Sequence, residues 1–211
     1  MVASLDPEER EFAMADFGGI AAAGRSIERL LTHCFGEEEP VAGSRTRAVL
    51  IRTADLEPTA ISTSIGTPAL SVFIYRVDFN QTMRAAWSAV ASQDGRPRLP
   101  LDLHFLITPW ATNAEHELRI LGKAMECLES HPVLSGPRLD SSAAWATNES
   151  LQIILEEIST EAVMRTFDSL PADYRLSVPY LARIVRIDAR RAIPDGPVLT
   201  AAIGLSPQAK P

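Results

Sequence analysis

The run Pro68-Ala69-Leu70-Ser71-Val72-Phe73-Ile74-Tyr75-Arg76-Val77-Asp78-Phe79-Asn80 follows a threonine with a proline and is rich in β-branched and aromatic residues. Read with a period of two, it puts Leu70, Val72, Ile74 and Arg76 on one face and Phe73, Tyr75 and Val77 on the other. Both faces are largely apolar, so the strand belongs in the middle of a sheet that is covered on both sides. The rest of the chain is therefore read for strands to flank it and helices to cover it.

Downstream, Leu99 to Trp110 alternates Leu101, Leu103, Phe105 and Ile107 against Asp102, His104 and Leu106, the pattern of a half-buried strand. A helix is expected from about Asn113 to Ser130, with Leu118, Leu121, Met125 and Leu128 on one side and Pro132 as its stop. Leu151 to Ile158 is a further apolar run, and Ser159-Thr160-Glu161-Ala162 opens a short helix through Val163, Met164 and Phe167. Tyr174 to Ile187 reads as the last long strand, with Leu176, Val178, Tyr180 and Ala182 in alternation. Upstream, Asp16 is placed to cap a helix from Phe17 to Phe35, and Gly36 to close it. Residues 37–47 read as a loop, and Ala48 to Thr53 as a β-run. Thr59 to Ile65, with its Ile, Thr and Ser content, also reads as a strand. Asn80 to Ser92 is too polar to assign, and Asp94-Gly95 marks a turn. Helices at the start, middle and near the end of a run of strands, with no βαβ rhythm, predict the α+β class. The expected architecture is a single domain with a mixed or mainly antiparallel sheet flanked by helices.

Of the 211 residues, 46% are hydrophobic and 22% charged, the balance of a globular protein. A chain of this length buries roughly 70% of its unfolded surface, so apolar packing suffices to fold it. The net charge is −7 and the basic residues are scattered, which argues against nucleic acid as a partner. Cys34 and Cys127 lie far apart without CxxC spacing and are expected to be two buried, reduced thiols. No apolar run approaches the roughly 20 residues of a membrane-spanning helix. Asp6, Glu8, Glu9 and Glu11 put acid where a secretory signal carries base, so the expected location is the cytoplasm. Residues 1–14 read as a flexible extension with Met1 or Met14 as the start, 15–190 as the domain, and 191–211 as an extended arm rich in proline and glycine. Within the arm, Val198, Leu199, Ile203 and Leu205 form an apolar stretch that calls for a partner.

Catalytic and cofactor motifs are missing. His33, His104, His116 and His131 have no second ligand at metal spacing, and His116-Glu117 lacks the second histidine of a zinc-protease helix, Ile120 standing in its place. His104 reads as a half-buried structural histidine. No GxSxG, GxxxxGK[ST] or GxGxxG sequence occurs. Gly18-Gly19 before a helix reads as permissive backbone, not as an anion site. Glu156 and Glu157 are adjacent, so on a strand their carboxylates diverge, and they read as a solvated edge. These readings give no enzyme, no metal and no cofactor.

Four blocks carry a resemblance. Pro68 to Asn80, followed by Arg84, resembles the "LSVFLY-x-V-x-x-N-x-x-x-R" strand and loop of the N-terminal domain of cap proteins of contractile injection systems. Leu99 to Thr108, Leu121-Gly122-Lys123-Ala124-Met125 with His131-Pro132-Val133-Leu134, and Tyr174 to Tyr180 continue it in order. It spans roughly residues 15 to 190; Phe167 departs from the tryptophan common in the family. The resemblance implies a tail-terminator-like fold and a ring protein, expected to be a homo-hexamer. Such a ring sits on the last layer of inner tube and sheath and stops their polymerisation. It also points to Asn80 and Arg84 as residues that fix the loop after the central strand, and to Tyr75 and Tyr180 as structural or interface residues. Two other roles are weighed against it: a connector or adaptor of the same particle, and a small-ligand-binding domain built around His104, Tyr75 and Tyr180.

Overall fold

A computed structural model describes residues 17–84 and 97–188. Its longer helices are α1 (Gly19–Glu37), α2 (Ala114–Ser130) and α3 (Thr160–Asp168). Six strands, β1 (Arg47–Ile51), β2 (Ala69–Phe79), β3 (Arg98–Trp110), β4 (Val133–Ser135), β5 (Ser150–Leu155) and β6 (Val178–Asp188), form one sheet in the order β1-β2-β3-β6-β5-β4. Among the described residues only β1 and β2 pair in parallel, so the sheet is mixed and mainly antiparallel.

Helices α1 and α2 cover one face of the sheet. Ile27, Leu31 and Phe35 from α1, and Ile120, Ala124 and Leu128 from α2, pack with Val72, Leu103, Phe105, Ile107 and Ala182 in one apolar core. Gly24 lets α1 come close: a Cβ there would stand 3.0 Å from Leu50 Cδ2 and 3.3 Å from Ile74 Cδ1. On the opposite face, Ile65, Phe73 and Trp110 form a second cluster, and Val163 and Phe167 of α3 close over Leu106. β3 is therefore buried on both sides along its second half, where its alternation had predicted a half-buried strand. Along β3 alternation gives the direction of Leu101, Leu103, Phe105 and Ile107 correctly; whether the other side is covered depends on elements distant in sequence.

Other expectations are corrected by packing. Gly36 lies within the last turn of α1, and Glu38, in an extended conformation, ends the helix. Among the described residues the glycines with positive φ are Gly43, Gly66 and Gly136. Gly18 is the residue before α1, and Asp16 lies outside the described residues. Ile61–Ser64 is a helical turn instead of a strand. Because β1 and β2 run parallel, residues 52–68 must carry the chain back along the sheet, where no strand edge is open to them. Leu118 is exposed at 57%, while Ile120 and the small residues Ala124 and Cys127 make the buried stripe of α2. The last strand begins at Val178; the position opposite Leu176 in the ladder belongs to Pro109, which has no N–H.

The two cysteines are not free thiols. Cys34 and Cys127, 93 residues apart in sequence, are joined by a disulfide with a Cα–Cα distance of 6.2 Å. Each sits on the core-facing stripe of its helix, and α1 and α2 pack side by side on the same sheet face. Spacing along the chain carries no information on that juxtaposition.

The β1 edge is closed by α1. Thr32 Oγ1 accepts from Ala48 N at 3.1 Å, and Glu28 Oε1 from Leu50 N at 2.9 Å. These are strand N–H groups outside the β1–β2 ladder, and with α1 occupying them an incoming strand finds no free donors.

Candidate functional site

Beyond Ile74, the register of β2 against β3 shifts by one residue, so that Ile74 pairs with Phe105 and Arg76 with His104. Tyr75 is the extra residue of this bulge, and both it and Arg76 come to the face that carries His104. Strict alternation had put Arg76 with Leu70 and Val72; the bulge reverses the parity of the strand from this point. The polar end of β2 thereby gathers over a buried histidine.

His104 is the centre of the cluster. Its Nδ1–H donates to Glu156 Oε1 at 2.8 Å, its Nε2 is 3.2 Å from Asp78 Oδ2, and Arg76 Nη2 stands 3.0 Å from the same Nε2. Arg76 also pairs with Asp78 at 3.0 Å and with Glu156 at 3.6 Å. The Tyr75 hydroxyl donates to Glu156 Oε2 at 3.4 Å. The side chains of His104 and Glu156 are 8% and 14% exposed, whereas those of Arg76 and Asp78 are 49% and 51% exposed. An inner imidazole–carboxylate pair thus anchors an outer guanidinium–carboxylate pair that faces solvent. Glu156 is no solvated edge: its backbone N–H donates to Pro179 O, which extends β5 along β6 and turns the side chain inward.

Asn80 secures the exit of the strand. Its Nδ2 donates to Asp102 Oδ1 and Oδ2 at 3.2 and 3.1 Å, and its Oδ1 accepts from Met83 N at 3.0 Å, capping the turn Gln81–Arg84. Arg84 ends that turn. Tyr180 belongs elsewhere: it is buried on the helix-covered face and stacked on Phe105, with ring centroids 5.7 Å apart. Val198, Leu199, Ile203 and Leu205 lie outside the described residues. Periodicity alone does not bring Asp78, His104 and Glu156 together. The available signal was the polar alternation Arg76, Asp78, Asn80 at the end of an apolar strand, facing Asp102 and His104 on the next.

Burial and the Glu156 charge push the Tyr75 phenol up to about 12 from its ordinary 10. A folded-state value above the unfolded one means that the neutral phenol stabilises the fold, fully below pH 10, and that this contribution is lost as pH rises towards 12. Urea unfolding at pH 9 and pH 11 is expected to show a drop in stability that Tyr75→Phe removes; an equal drop in the variant would assign it to other groups.

The partners of His104 among the described residues are Arg76, Asp78 and Glu156, with the Tyr75 ring edge-on to the imidazole at 6.3 Å. What the cluster offers is a rigid charge pattern on a buried base, suited to recognition at a protein surface.

Residues 24–201, which include every member of this cluster, match the model of the Pvc16 N-terminal domain. The chain belongs to that family. The Pvc16-type fold is also similar to the sheath/tube terminator of PVC, an extracellular contractile injection system. The TM-score is 0.50 at 14% identity, over 93% of this chain and 65% of that one. A tube-terminating cap of the anti-feeding prophage gives a TM-score of 0.48 at 19% identity, over 89% of this chain and 60% of that one. The chain therefore spans less than two thirds of the length of either solved structure. No curated protein sequence matches it. The mixed sheet flanked by helices thus resembles the fold of that sheath/tube terminator, as the four sequence blocks implied.

Proposed function

We propose that this protein is a structural cap that ends inner-tube and sheath polymerisation at the distal end of a contractile injection particle. The observation that carries this reading is the family match over residues 24–201, supported by a fold shared with a sheath/tube terminator. A terminator must bind the last layer of a polymer without offering the next one a place to grow. The β1 edge, whose donors are held by Thr32 and Glu28, fits that requirement. The half-exposed Arg76–Asp78 pair, fixed from below by His104 and Glu156, provides a preset charge pattern for a neighbouring subunit.

In this reading the protein is not an enzyme and needs no cofactor. It assembles in the cytoplasm as a homo-hexameric ring on tube and sheath, and residues 191–206 add to a sheath subunit or to the next cap. Residues 1–14 and 191–211 are the extensions of the capping domain. Immunogold labelling of purified particles locates the chain: label at the end away from the baseplate is the expected result. Label at the baseplate or along the shaft would make it a connector or adaptor instead.

A further inference from the structure

The disulfide between α1 and α2 has a third potential ligand beside it. Cys34, Cys127 and His131 place their two sulfurs and one ring nitrogen all within 4.8 Å of one another. Cys127 and His131 are four residues apart, one turn at the C-terminal end of α2, and Cys34 comes from the last turns of α1. We propose that, in the reduced protein, these three residues form a site for a soft closed-shell cation of the zinc class, so that the helix pair is tied by a covalent bond when oxidised and by a metal when reduced.

The second observation concerns the ring of His131. Its Nδ1 lies 3.0 Å from the carbonyl oxygen of Cys127, which can only accept, so Nδ1 carries the proton, and in the neutral ring the lone pair that a cation needs is on Nε2. A hydrogen bond from the second ring nitrogen to a backbone carbonyl is the usual way in which a ligating histidine is fixed. The sulfurs are nearly buried and the histidine is half-buried, which leaves one side for a water to complete a four-coordinate shell. Two thiolates neutralise a divalent cation, so the loaded site adds no net charge to the core. Ile27, Leu31, Ile120, Ala124 and Leu128 hold the two helices on the sheet independently of the sulfurs.

The chemistry balances with a dithiol as reductant. Two electrons and two protons pass from the dithiol to the cystine, giving two protein thiols and a cyclic disulfide; cation binding then releases the two thiol protons. The test uses the full chain reduced with dithiothreitol, freed of reductant under argon and checked for helix content by circular dichroism. Titration with Co²⁺ is expected to give one ion per chain with a sulfur-to-cobalt charge-transfer band and the visible bands of a tetrahedral site, and Zn²⁺ should displace it. The oxidised protein and Cys34→Ser should bind none, and His131→Gln, a change at a half-exposed position, should weaken Zn²⁺ at least about tenfold. A reduced chain that takes up no stoichiometric Co²⁺ overturns the proposal, whether its helices persist or not. So does binding that Cys34→Ser and His131→Gln leave unchanged.

Discussion

Phe105→Ala is expected to lower the stability of the domain by about 3–5 kcal/mol. Phe105 is fully buried, lies on β3 between β2 and β6, and stacks on Tyr180 with rings inclined by 22°. It faces the core that α1 and α2 close, so the missing ring leaves a cavity bordered by helices that cannot both move in. The offset stack with Tyr180 adds about 0.5–1.5 kcal/mol beyond burial. Urea unfolding should show a lower midpoint with an unchanged slope, because the surface exposed on unfolding is nearly the same. A loss below about 1 kcal/mol would contradict the burial of Phe105 in this core.

The second large effect is expected from Glu156→Ala, at about 2–3 kcal/mol. Leaving a buried donor without its acceptor costs about 1–3 kcal/mol, and two donors lose theirs in this variant. His104 loses the acceptor of its Nδ1–H at 2.8 Å, and Tyr75 loses the acceptor of its hydroxyl. Glu156→Gln keeps the shape and part of the hydrogen bonding, so its cost should be clearly smaller. An independent readout is the Tyr75 phenol, which titrates at a lower pH once the carboxylate is gone, because Glu156 is one of the causes that raise it. If both variants cost less than about 0.5 kcal/mol, Glu156 behaves as a surface charge after all.

Much of the fold was legible because periodicity acts locally. The spans of β2, β3, α2 and α3 follow from apolar spacing, and the structure adds the caps Asn113 and Ser159, whose side chains accept from His116 N and Ala162 N. What was illegible depended on contacts distant in sequence. The bulge at Tyr75 has no residue signature, yet it moves Arg76 to the other face and brings it to His104. Glu156, 52 residues from His104, reads as a solvated residue until β5 is laid beside β6. The disulfide was hidden for the same reason: only the packing of α1 on α2 brings Cys34 to Cys127. Of the candidate interface residues, Tyr75 bonds Glu156 and Asn80 bonds Asp102 along the polar end of β2 and its exit, whereas Tyr180 serves the opposite face.

The terminator role is tested most directly by electron microscopy of contractile particles from a strain that lacks this gene, with sheath and tube lengths measured against the parent. Sheaths and tubes of unregulated length, or no assembled sheath, restored to parental length when the full chain is supplied, are the predicted result. Capped particles of parental length in the deletion strain would contradict it.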